Sequence, residues 1–199
     1  MSKKNDKNIV QEIITGPSFG FTNNFPKRQM WNEIAKELNG EFKIKYDTGI
    51  GAEGHNITVP YKKHMIVISV SDTRPLKFMI SFTSILNFEL MLSWEDFIEK
   101  ILKKFSKPEI ELGSEDFDNR YLIKSNNEAF VNGIITTEIQ KTMLKYNIFS
   151  IVFHTDSKSK TSELTSIIQR QAGNKEMILE LIEMHKQFID KLEKLKIIK

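Results

Sequence analysis

Few residues in this chain have the types and spacing that chemistry needs, and each has a plainer reading. Gly49-Ile-Gly51-Ala-Glu-Gly54 has the spacing G-x-G-x-x-G. A dinucleotide site needs such a loop to open a helix, whose first N–H groups meet the pyrophosphate. The next residues are His55-Asn-Ile-Thr-Val-Pro60, β-branched and proline-containing, so the pattern predicts a hairpin loop with glycines supplying positive φ. Ser157-Lys-Ser-Lys160 fits S-x-x-K, which needs a helix to set the amine one turn from the hydroxyl. Here it falls in a polar loop between two strands. The histidines are His55, His64, His154 and His185, and none forms H-E-x-x-H. His154 ends a strand near Asp156, which reads as a surface position. His185 lies within the apolar stripe of the last helix and is expected to be a hydrogen-bonded core or interface histidine, since burial without a partner is costly. Glu109, Glu111, Glu115, Asp116 and Asp118 lack the EF-hand spacing and read as a solvated acidic loop. There is no cysteine, which removes disulfides, thiolate metal sites and cysteine nucleophiles. No catalytic, cofactor or metal set is therefore assigned.

The basic residues are the other candidates. Lys100, Lys103, Lys104 and Lys107 share one side of an expected helix. Glu95, Asp96 and Glu99 fill its first half, which complements the helix dipole and gives i,i+4 pairs, so a solvated face is expected. With Lys62 and Lys63 the same lysines could instead meet an anionic membrane or another polyanion. The net charge is only +3, and aromatics do not interleave with the basic residues, which argues against nucleic acid.

These residues must be positioned by elements that the sequence marks well. The chain has 199 residues, 40% hydrophobic and 28% charged, a composition that excludes a disordered chain. Residues 1–25 read as a poorly ordered lead and 26–199 as one domain, with two subdomains that could meet near 106–116. The expected class is α+β, a mostly antiparallel sheet flanked by helices. Pro26 opens a helix over 26–39, and Gly40 suits a left-handed cap. A meander of about five strands covers 41–92, with 64–71 read as buried on both faces. Ser93-Trp-Glu-Asp96 is a capping-box pattern for a helix over 93–105. Strands are expected near 120–124, 148–154 and 162–171, and helices over 128–146 and 174–195. No signal-peptide core or spanning stretch of about 20 apolar residues is seen, so a cytoplasmic protein is expected. Lysine outnumbers arginine, and asparagine and isoleucine are frequent, as in AT-rich bacterial genomes.

The stretch FDNRYLIKSNNEAFVNGIITTEIQKTML, residues 117–144, resembles the core of an uncharacterised bacterial family, a domain of unknown function. Phe117, Asp118, Arg120, Tyr121, Ile123 and Ser125 match its strand, and Ala129 and Ile134-Ile135 before Thr136 match its helix and break. Two strands and a helix of the type ELIEMHKQFIDKL fit the rest of the C-terminal half. The resemblance implies a fold, and the family has no assigned activity. Its members often carry membrane-spanning helices near the N-terminus, which are not seen here.

The functional expectation is a non-catalytic cytoplasmic protein-interaction domain with an unidentified protein partner. The alternatives are a peripheral binder of anionic surfaces and an enzyme whose site assembles only in three dimensions. The last helix carries Ile178, Leu181, Ile182, Phe188, Ile189, Leu192 and Leu195 along one side. Its first half should pack on the sheet. The end, 192–198, is expected to be exposed or shared with a second copy, so a homodimer through helix 174–195 is a further expectation. The residues marked for interaction are Lys100, Lys103, Lys104, Lys107, His185 and Leu195.

Overall fold

A computed structural model describes residues 22–47, 52–94, 109–168 and 173–199. A 3-10 turn, Phe25–Lys27, holds Pro26 near its start and leads into α1, Arg28–Glu37. Four strands come next: β1 Glu41–Asp47, β2 Ala52–Tyr61, β3 His64–Ser71 and β4 Arg74–Thr83. Then come β5 Leu90–Trp94, a one-turn α2 Glu115–Asp118, β6 Tyr121–Ser125, α3 Glu128–Ile134 and α4 Thr137–Lys145. The hairpin β7 Ile148–Asp156 and β8 Thr161–Ile168 precedes the long α5, Lys175–Lys194. The class is α+β. The strands form one eight-stranded sheet in the order β1-β2-β3-β4-β8-β7-β5-β6, with every pair antiparallel.

The meander therefore has four strands, not five. β4 pairs with β8, and β5 sits between β7 and β6. The helix expected to start at Ser93 does not start there. Ser93 is a strand residue bridging Leu122 and Ser150, because both neighbours of β5 supply hydrogen bonds that a capping box cannot match locally. Residues 95–108 lie outside the described residues. The helical stretch over 128–146 consists of two helices with a break at Ile135-Thr136, and Gln140 turns back to donate to the Ile135 carbonyl (3.2 Å).

One apolar core lies between a single face of the sheet and the helices. Trp31 and Ile34 of α1 meet Ile57 and Val59, and α5 lays Ile178, Leu181, Ile182, Phe188 and Ile189 over the centre. Side-chain caps set the helix starts where the sequence places asparagine: Asn127 accepts from the Phe130 N–H and Asn174 from the Met177 N–H. The left-handed residue after α1 is Asn39 (φ 53°), not Gly40. Gly40 is required for another reason: a Cβ there would lie 2.1 Å from the Thr58 carbonyl oxygen.

The end of the chain departs from expectation. Leu192, Ile197 and Ile198 are buried, and Leu195 packs against Gly133. The tail bridges Ser84, and the Ile197 carbonyl accepts from the Ile85 and Leu86 N–H groups at 2.8 and 3.2 Å. Most of the stripe is covered within one chain, because the tail turns back at Lys196 (φ 55°) and brings Ile197 and Ile198 onto the core.

Candidate functional site, a basic groove on the open sheet face

Across β1–β4 no described residue covers the second face of the sheet, and its outward residues line a groove of about 580 Å³. Strand alternation places them. Gly54 of β2 stands between Lys45 of β1 and Ser71 of β3, and Ser69 of β3 pairs with Lys77 of β4. The lining is Lys45, Tyr46, Ala52, Gly54, Asn56, Ser69, Val70, Ser71, Thr73, Arg74, Pro75, Lys77 and Ile167, with no carboxylate among them. Lys45 and Arg74 are exposed, whereas Lys77 is half-buried, and that burial pulls its ammonium below its usual range against the opposing pull of Glu163. A second surface recess, lined by Thr136, Glu138, Gln187, Asp190, Lys191 and Lys194, mixes both signs of charge.

Gly54 gives the groove its depth. A Cβ there would make only ordinary contacts, the nearest at 3.6 Å from the Lys45 carbonyl oxygen, so the fold does not demand glycine. A glycine inside a strand that needs none on steric grounds marks a place where another molecule can approach the backbone.

Behind the groove floor, the alternate residues Glu53 and His55 point into the protein and hold it rigid. Arg28 grips the Glu53 carboxylate with two nitrogens, Nε at 2.7 Å, and also donates to the Tyr46 hydroxyl (2.6 Å). That guanidinium holds the Glu53 carboxyl down at about 2, so Nε2 of His55, 2.5 Å away, is the donor of their bond. Asp72 accepts from Asn24 N (2.9 Å), Asn24 Nδ2 (3.0 Å) and Glu53 N (2.8 Å), which fixes the turn carrying Thr73 and Arg74. His55 is fully buried, with Nδ1 unpartnered, and its ring meets Phe42 edge-on. The ring is closed off from solvent, and the network anchors the groove floor.

The residues singled out from sequence fall elsewhere. β1 and β2 pair antiparallel on either side of 48–51 and no helix comes after them, which excludes the dinucleotide reading of Gly49–Gly54. Ser157 and Lys160 belong to an exposed turn between β7 and β8. His185 is a core histidine: Nδ1 donates to the Leu181 carbonyl (2.6 Å), and the ring stacks on Phe78. Burial lowers its pKa to about 4, so the neutral ring accepts at Nε2 from the Ser166 hydroxyl (2.9 Å). His154 pairs with Glu89 (2.8 Å), not first with Asp156, and that carboxylate raises its pKa. Asp118 receives the N–H groups of Leu112, Gly113 and Ser114, and no group of three metal ligands occurs among the described residues.

Lys62 and Lys63 are not a free basic patch. Lys62 bridges Asp190 (2.6 Å) and Glu193 (2.8 Å), Lys63 reaches Glu193 (3.2 Å), and His64 joins the same carboxylate (3.1 Å). Lys100, Lys103, Lys104 and Lys107 lie outside the described residues. Sequence reasoning missed the groove because its members come from separate strands and meet only once the register is known. The available signal was the outward phase of Lys45, Ser69 and Lys77.

No family model matches the chain, and no curated protein matches it either. Among solved structures, the crystal structure of the mycobacterial trehalose monomycolate transport factor A, TtfA, is similar with a TM-score of 0.51 at 11% sequence identity, over 82% of this chain and 93% of that chain. A likeness at that identity is one of fold alone. Among the described residues no helix is long and apolar enough to cross a membrane.

Proposed function

We propose that this protein is a non-catalytic cytoplasmic binding domain whose groove takes an acidic segment of a protein partner. The observation that carries the reading is the convergence of Lys45, Arg74 and Lys77 on one groove that, among the described residues, no carboxylate lines. Ser69, Ser71, Thr73 and Asn56 add donors suited to carboxylates and backbone carbonyls, and Pro75 and Ile167 give side chains an apolar floor. Fixed donors on a rigid floor reduce the ordering needed on binding.

The test is fluorescence anisotropy with a labelled glutamate-rich peptide and a glutamine-rich control. Binding should weaken with salt, be absent for the control, and be lost on joint Lys45→Glu, Arg74→Glu and Lys77→Glu reversal. Gly54→Leu should fill the groove and abolish binding while the far-UV spectrum stays unchanged. Equal binding of both peptides, or binding that survives Gly54→Leu, would remove the groove from the account.

A further inference from the structure

One end of the sheet, remote from the groove, brings together three pieces of backbone. The Ser84 N–H donates to the Lys160 carbonyl (2.9 Å), the Ile85 and Leu86 N–H groups to that of Ile197, and the Lys199 N–H to that of Thr83 (3.0 Å). Ile85 and Leu86 thus form an apolar tip pinned by the chain's own tail, yet they are 49% and 40% exposed. Lys160 and Lys199 take part in these junctions, Lys196 directly precedes Ile197, and Lys158 lies in the same turn as Lys160; all four are exposed, and none is ion-paired among the described residues. The nearby acids are engaged: Asp156 accepts from the Lys158 N–H (2.9 Å), and Glu193 is held by Lys62, Lys63 and His64.

The backbone adds an independent observation. Lys160 and Lys196 both adopt left-handed φ, 54° and 55°. Glycine or asparagine would hold such a turn with less strain, because a Cβ crowds the carbonyl in that region. Lysine stands at both turns although local geometry does not favour it.

We propose that this end of the sheet docks on an anionic lipid bilayer, with Ile85 and Leu86 entering the interface and the four lysines meeting lipid phosphates. Charge complementarity selects the occupant. A rigid two-residue apolar tip gains free energy on leaving water, and lysines beside it gain from an anionic leaflet, steeply attenuated by salt. A single exposed apolar residue would need no explanation. Two adjacent ones held at a lysine-ringed tip combine both terms that peripheral binding uses.

The test is co-sedimentation of the full chain with vesicles of phosphatidylcholine alone or mixed with phosphatidylglycerol. Salt-sensitive binding to the mixed vesicles only is expected. Lys160→Gly with Lys196→Gly relieves the turns while removing two charges. It should leave the melting temperature unchanged or raised and weaken partitioning by roughly thirtyfold, at the usual worth of a lysine near an anionic surface. Ile85→Ser with Leu86→Ser should abolish binding with an unchanged circular dichroism spectrum. Equal binding to both vesicle types overturns the proposal, as does no binding to either. So does binding that survives the Ile85/Leu86 change. Self-association by sedimentation that vanishes with Ile85→Ser and Leu86→Ser, without vesicle binding, would assign the tip to a second copy and also overturn it.

Discussion

The two halves of the sheet treat their second face oppositely. In β1–β4 the outward positions Lys45, Asn56, Ser69, Ser71 and Lys77 are exposed or half-exposed. In β5–β8 the equivalent positions Met91, Ser93, Leu122, Ser150, Val152 and Thr165 are buried. Residue type does not separate the two. Serine occurs in both halves, wet at Ser69 and Ser71, buried with unpartnered hydroxyls at Ser93 and Ser150. A small polar residue reports poorly on burial because its hydroxyl costs little to hide compared with a charge. Lysine does not separate the halves by itself either: Lys45 and Lys77 face the open groove, whereas Lys124, opposite Met91 on the second face of β6, is buried.

The contrast can be broken most forcefully by placing a carboxylate on each face. Ser150→Asp should cost about 3–5 kcal/mol, the usual penalty of an unpaired buried charge, whereas Ser69→Asp should stay within about 0.5 kcal/mol. Urea unfolding of both variants measures this, and equal costs would erase the distinction between the halves. Deleting residues 197–199 should cost about 3 kcal/mol through loss of the buried Ile197 and Ile198. A truncated protein of unchanged melting temperature would mean that the tail is not part of the core. Two glycines within the open half give a smaller contrast. Gly40→Ala must displace the Thr58 carbonyl and should cost about 2–3 kcal/mol, while Gly54→Ala should be neutral within about 0.5 kcal/mol.

The two regions also differ in their dependence on pH. His185 is held neutral with its pKa lowered from 6.5 to about 4. The unfolded chain therefore binds the extra proton first, and stability should fall as pH drops from about 6.5 to about 4, by no more than about 1.4 kcal/mol per pH unit. Glu53 and Glu193 are depressed from 4.5 to about 2, so their contribution is present above about 4.5 and lost as pH falls toward about 2. His185→Gln should flatten the upper window alone, and Glu53→Gln should reduce the lower one. Unfolding free energies measured across this range separate the two.

Much of the fold was legible because period and caps are local. The alternation of β1, β2 and β4, the asparagine-capped start of α5 and its apolar stripe all derive from neighbours in sequence. Assigning burial on both faces was less secure. HMIVISVS reads as doubly buried, yet Met65 is 47% exposed and Ser69 and Ser71 face the groove. IFSIVFHTD, with its serine and threonine, is instead buried on both faces through its first six residues. Ser93 misled for the same reason that made it plausible: a capping box is a local preference, and β6 and β7 supplied hydrogen bonds from distant sequence. The groove and the lysine-ringed tip depend on register and on the returning tail, neither of which leaves a local mark. The Lys62–Asp190 and Lys63–Glu193 pairs likewise join residues far apart in sequence.

The pairing of β4 with β8 also bears on how the chain reaches this state. Phe78 must find Ser166, and all of β5, β6 and β7 lie between them in sequence. Closing so long a loop is entropically expensive, so this central seam should form late and set the folding rate. Until it closes, a nascent chain that has already built the β1–β4 meander displays an unpaired strand bearing Phe78, Ile80 and Phe82, the kind of edge on which neighbouring chains aggregate. The central junction of the finished sheet is therefore the most exposed template of the unfinished one, and conditions that slow emergence of β8 should favour aggregation over folding.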